Sequence, residues 1–203
     1  MAEVDIRIAK AISSGESVLD LSELGLLTLP PSIGSAITVQ QLVLSRNKLS
    51  SLPPEIGGMT ALRVLYLDNN ALTSLPRQIG NLSNLEELYI WDCPLLSIPS
   101  SLGLLKQLRT LHIINCPLTT IPAELGGMIA LEELVIYKCG LSSFPAGLTN
   151  YTALRVLSVG RNTLSTLPDI TGKLSTLKYL EIRGNNITLP TDVLNRTGLK
   201  VYQ

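Results

Sequence analysis

Leucine recurs every 23 residues along this chain, at Leu19, Leu42, Leu65, Leu88, Leu111, Leu134, Leu157 and Leu180. With that residue as position 1, position 3 is always aliphatic: Leu21, Leu44, Leu67, Ile90, Ile113, Ile136, Val159 and Ile182. Position 6 reads Leu24, Asn47, Asn70, Cys93, Cys116, Cys139, Asn162 and Asn185, so every cysteine stands where other units hold asparagine. An aliphatic or aromatic residue followed by proline fills positions 11 and 12 in seven units, and the eighth carries Leu189-Pro190 one residue early. A fixed period of this length marks a chain built from stacked copies of one supersecondary unit.

Alternation at positions 1 and 3 predicts a short strand with one buried face. Apolar residues at 11, 15, 18 and 21, such as Leu52, Ile56, Met59 and Leu62, are three or four apart and predict a short helical or 3₁₀ segment, with Pro53 suited to its first turn. One unit cannot bury both faces alone; stacked units share a core and pair their strands in parallel. Asparagine at position 6 leaves the strand pointing inward, where its amide can satisfy loop backbone groups. Cysteine there is a smaller, weaker substitute. Glycine recurs at position 16, as in Gly57, Gly80, Gly103 and Gly126, where successive turns must approach closely.

The run Leu62-Arg-Val-Leu65-Tyr-Leu67-Asp-Asn-Asn70-Ala-Leu72 resembles the leucine-rich repeat signature, and the resemblance extends over residues 19 to 201. Units such as LTSLPRQIGNLSNLEEL are similar to the intracellular 23-residue class of Ras-group scaffolds and their plant relatives, and INCPLTTIPAELG to the repeats of plant intracellular immune receptors. The fold class this implies is α/β: a right-handed solenoid or horseshoe, with a parallel concave sheet of about eight strands and short helical or 3₁₀ turns on the convex side. Val4, Ile8, Ala11 and Ile12 share one helical face and Gly15 can end it, so a helix over 3 to 14 is expected inside an N-terminal cap of residues 1–18. Eight repeats then occupy 19–201, the last shortened, and 202–203 form the C-terminal end with Tyr202 at position 1 of a ninth unit. Ile170 precedes position 15 of the seventh unit, held by Thr171, so irregularity is expected on that convex turn.

Positions 2, 4 and 5 are expected on the concave face. Position 2 includes Tyr66, Tyr89 and His112; position 4 includes Asp68, Trp91, Ile114 and Tyr137; position 5 includes Asp92, Lys138 and Arg161. Four of the chain's eight aromatic residues, Tyr66, Tyr89, Trp91 and Tyr137, fall in these rows. Parallel strands about 4.8 Å apart place Tyr66 and Tyr137 roughly 14 Å from each other, a span comparable with an interface hot-spot cluster. These ten residues are the candidate partner site. Asn47, Asn70, Cys93, Cys116, Cys139, Asn162 and Asn185 are the candidate structural ladder, with the thiols buried and reduced because parallel side chains point the wrong way for a disulfide. Charge on the face is graded, with Asp20, Glu23, Asp68 and Asp92 toward the first half and Lys138, Arg161 and Arg183 toward the second.

Composition narrows the function. Sixteen Lys and Arg balance sixteen Asp and Glu, so no basic field exists to hold nucleic acid or an anionic membrane. His112 is the only histidine, and it faces away from Cys116 four residues on, which removes the one pair that mimics a base and nucleophile. No metal site, cofactor motif or catalytic residue set is expected. Charged residues break the N-terminus before an export signal could form, and three cysteines at equal spacing suit a reducing, cytoplasmic compartment. The expected function is a non-enzymatic interaction module or scaffold with a protein partner on its concave face. The family resemblance implies a small GTPase or signalling complex as one such partner. The alternative is the recognition region of a larger signalling enzyme, immune receptor or bacterial effector.

Overall fold

A computed structural model of the protein describes residues 3–145, 147, 150–168 and 174–203. Helix α1 (Glu3–Ser14) buries Val4, Ile8 and Ala11 against the first unit. Among the described residues nine strands follow in chain order: β1 (Val18–Asp20), β2 (Gln41–Val43), β3 (Val64–Tyr66), β4 (Glu87–Trp91), β5 (Thr110–Ile114), β6 (Glu133–Tyr137), β7 (Val156–Ser158), β8 (Tyr179–Glu181) and β9 (Lys200–Tyr202). They form one open parallel sheet in sequential order. The position 1 leucines sit side by side from Leu19 to Leu180, so the sequence period is the strand register.

The ninth strand corrects the expected C-terminal end. Leu180 pairs with Val201, and Glu181 with Tyr202, so Val201 takes position 1 and Tyr202 lies at position 2. The eighth unit is therefore two residues short: its return path is the single-turn helix α2 (Thr191–Leu194) rather than a 3₁₀ segment. Ile170 and Thr171 lie outside the described residues.

On the opposite side from the sheet, 3₁₀ turns run over Pro31–Ser35, Pro54–Gly58, Arg77–Asn81, Ser100–Leu104 and Ala123–Gly127. The position 12 proline stands just before each turn in extended conformation, and its carbonyl accepts the first turn bond, as from Ile56 N–H to Pro53 at 3.0 Å. Pro53 thus ends the extended segment instead of starting the turn. Position 16 glycines are required by close approach. A Cβ at Gly57 would lie 2.6 Å from the Gln78 carbonyl oxygen and one at Gly126 2.7 Å from that of Gly147, both rigid backbone.

Between sheet and turns lies one continuous aliphatic core, from Val4 to Val193, in which the position 1 and 3 residues meet those at 15, 18 and 21. Tyr151 enters that core at position 18 and donates its hydroxyl to the Leu125 carbonyl at 2.8 Å, which burial of its polar end requires.

Candidate functional site

In seven units position 5, just past the strand, has φ between 52° and 58°: Glu23, Arg46, Asn69, Asp92, Asn115, Lys138 and Arg161. Left-handed backbone is costly for side chains other than glycine. Here it holds the parallel ladder one residue further, since Asn69 N–H reaches the Trp91 carbonyl at 2.7 Å and Lys138 N–H that of Gly160 at 3.0 Å. The turn also flips the strand parity, so position 5 faces solvent and position 6 enters the core.

At position 6 the asparagines bridge units. Asn162 Oδ1 accepts from the N–H groups of Cys139, Gly140 and Leu141 at 2.9–3.1 Å, while its Nδ2 donates to the Ile136 and Val159 carbonyls at 2.7 and 2.8 Å. Asn47, Asn70 and Asn185 repeat the geometry with fewer partners. The cysteines imitate half of it. Sγ–H of Cys93 points to the Leu67 and Trp91 carbonyls, that of Cys116 to Ile90 and Ile114, and that of Cys139 to Ile113 and Tyr137. All three are free and buried. Burial pushes the Cys93 and Cys116 thiols up to about 11 and raises Cys139 as well. A disulfide-exchange reagent at pH 8 is therefore expected to react slowly with the folded protein and to release three equivalents after unfolding in guanidinium; rapid native labelling at all three would contradict this ladder.

On the open sheet face the aromatic rows come together. Tyr66 stacks on Tyr89 with ring centroids 4.9 Å apart, and Tyr89 meets Trp91 and His112 edge-on at 6.1 and 5.1 Å. Trp91 in turn lies 6.3 Å from His112 at an interplanar angle of 18°. Trp91 is 39% exposed, the largest apolar group on this face to be so open. Ile114 separates it from Tyr137 in the cross-strand register, and Arg161 covers the Tyr137 ring at 5.8 Å. Lys138 and Arg161 lie beyond that ring, beside a groove of about 340 Å³ formed with Asn115, Pro117 and Gly140 at the strand exits. Asp92 is exposed and accepts from the Asn115 amide.

Asp68 departs from its expected place as an exposed contact residue. It is only 8% exposed, accepting from Ser45 Oγ at 3.1 Å and from the Trp91 backbone N–H at 3.2 Å. Through these two bonds it ties its own unit to those on either side, at Ser45 and at Trp91 of β4. Burial lifts its carboxyl above the ordinary 3.8, against the hydrogen bonds from Ser45 and Trp91 that lower it. The folded protein thus holds this proton more tightly than the unfolded chain, and the stability it contributes falls as pH rises from 3.8 through the raised value. Asp68→Asn keeps an acceptor for Trp91 and removes the titration. Urea denaturation across pH 3–7 should show a flatter profile and a change of less than about 1 kcal/mol at neutral pH.

Two glutamates belong to the face although positions 2, 4 and 5 do not contain them. Glu87 and Glu133 stand one residue before position 1, where strand alternation puts them beside position 2. Tyr89 donates its hydroxyl to Glu87 at 2.7 Å, and His112 Nε2 lies 2.9 Å from Glu133. Burial, then the Glu87 hydrogen bond, raises the Tyr89 hydroxyl well above its ordinary range. Arg63, Arg109 and Arg155, at position 22, line the strand-entry edge. There Arg63 pairs with Glu86 at 3.0 Å and Arg109 with Glu132 at 2.6 Å. Some of the expected charge gradient is internally paired too, with Arg46 on Glu23 and Arg183 on Glu181.

His112 and Cys116 lie on opposite sides of the sheet, so no thiol faces the imidazole. Among the described residues no group of three or more His, Cys, Asp or Glu side chains could hold a metal ion, and no helix is long and apolar enough to cross a membrane.

Comparison with known proteins agrees with this architecture. A leucine-rich repeat region model matches residues 55–163 and a single leucine-rich repeat model residues 38–59. A leucine-rich repeat protein of Leptospira interrogans superposes with a TM-score of 0.80 at 30% identity, covering 94% of this chain and 61% of its own. The plant peptide hormone receptor RGFR1, solved in complex with RGF2, gives 0.79 at 31% identity, covering 90% of this chain and 31% of its own. The leucine-rich repeat domain of the type III effector XopL shares the fold alone, with a TM-score of 0.80 at 21% identity over 97% of this chain and 79% of its own. The chain thus spans 61% and 31% of the length of the first two. No curated protein matches it significantly. With a family model over more than half the sequence and one parallel strand from each repeat in a single sheet, the chain belongs to the leucine-rich repeat family.

Proposed function

We propose that the protein is a non-enzymatic binding module that takes a protein partner on its open sheet face, centred on Tyr66, Tyr89, Trp91 and His112. The observation that carries the reading is the exposed Trp91 ring in an interlocked aromatic group. Such a group is unfavourable in water and is the composition of interface anchors. Leucine-rich repeat proteins typically act as interaction modules, and the receptor RGFR1 was solved with RGF2 bound, which supports a polypeptide partner. Asp92, Ile114, Tyr137, Lys138 and Arg161 extend the proposed contact surface across the next two units. A small GTPase or signalling complex is one partner within this reading.

The three buried free thiols support a reducing, cytoplasmic setting. The shares of 61% and 31% of the neighbours' lengths favour a second reading of the same surface, as the recognition region of a larger signalling protein, receptor or effector. Both readings are tested by one comparison. A partner retained by the wild-type chain should be lost by Trp91→Ala and kept by Arg109→Ala, whose side chain lies on the strand-entry edge. Equal retention by both variants overturns the site.

A further inference from the structure

The two faces that carry glutamate treat it differently. At the strand-entry edge Glu86 and Glu132 each lie against an arginine. On the open face Glu87 and Glu133 have no Arg or Lys in reach among the described residues; their protein partners are Tyr89 and His112. In each carboxylate one oxygen takes that hydrogen bond and the other is left for a donor from outside. The two stand on β4 and β6, flanking β5, so their backbones are roughly 10 Å apart, a gap that a guanidinium and its two hydrogen bonds can bridge. Beside them lie the faces of Tyr66, Tyr89, Trp91 and His112. Asp92 adds a third carboxylate at the strand exit, and Lys138 begins the basic side only beyond Ile114. Aromatic faces next to unneutralised carboxylates form the environment that a cation, arginine above all, satisfies in both its charge and its flat surface.

We propose that the partner segment bound here is basic, and that it lays an arginine side chain between Glu87 and Glu133 over the Tyr89, Trp91 and His112 rings. This inference rests on the reading of the sheet face as the partner site, and the two can fail separately.

A random dodecapeptide display library selected on the wild-type chain and counter-screened on Trp91→Ala supplies the probes. The peptides that bind are titrated by the emission of Trp91, the chain's single tryptophan. The expected result is Trp91-dependent peptides enriched in arginine, weakened about tenfold or more by Glu87→Gln with Glu133→Gln and by raised salt, and less affected by the matching aspartate pair. Matched thermal midpoints of these variants exclude unfolding as the cause. Trp91-dependent peptides that are acidic or uncharged, or that ignore the glutamine pair, overturn the basic segment and leave the face standing. Peptides that bind Trp91→Ala equally well, or no peptides at all, overturn both.

Discussion

Asn162→Ala should lower the unfolding free energy by about 2–4 kcal/mol in urea denaturation, the largest loss in the position 6 series. The side chain removed serves two units at once. Its oxygen gathers the N–H groups of Cys139, Gly140 and Leu141, and its amide nitrogen answers the Ile136 and Val159 carbonyls. Alanine leaves these groups buried without a partner, because no water path is built into a site only 6% exposed. Asn47 and Asn70, with fewer bonds each, should cost about 1–3 kcal/mol. Asn185 should cost least, since among the described residues it makes three such bonds against four each at Asn47 and Asn70, and it is half-buried. Asn162→Cys should recover part of the loss, because a thiol at this place can point at the Ile136 and Gly160 carbonyls, which Asn162 also meets, as Cys139 points at those of Ile113 and Tyr137 one unit earlier. Equal losses at all four asparagines would show that the bonds between units do not set the ranking.

Strand register, core and the position 6 ladder were legible in the sequence because each depends only on which residues recur every 23 positions, and stacking copies a recurrence into space. What was not legible has local causes. Asp68 follows the strand in the row that holds Trp91 and Tyr137, and parity alone exposes it; only Ser45 and the Trp91 amide, contributed by the neighbouring units, draw it in. Glu87 and Glu133 did carry a signal. Alternation extends to the residue before position 1, and a strand taken to begin at the leucine starts one residue too late. The alternation of Arg63, Glu86, Arg109 and Glu132 along position 22 was likewise written in the sequence, as opposite charges on adjacent strands. Tyr202 was misplaced by taking the last unit as one residue short, as Leu189-Pro190 suggests, where the return through α2 is two residues short.

Truncating both Trp91 and Tyr137 to alanine should weaken partner binding at least a hundredfold while shifting the midpoint of thermal unfolding by only a few degrees. The two effects separate because both rings stand on the side of the sheet away from the core. Leu88, Ile90, Leu134 and Ile136, which alternate with them, are the residues that fill the interior. Removing Trp91 leaves Asp68 still accepting from its backbone N–H, so the anchor of β4 survives the substitution. Tyr137 does more for the fold, since it lies close against Gly160 and under Arg161. Its loss should account for most of the small thermal shift, and Trp91 for most of the binding loss. The paired measurement is calorimetric titration of one identified partner with a thermal melt of each single and double variant. Unchanged affinity in a folded double variant would place the partner elsewhere on the solenoid. Unfolding by Trp91→Ala alone would mean that the ring supports the sheet, and the exposed aromatic group would lose its meaning as an interface.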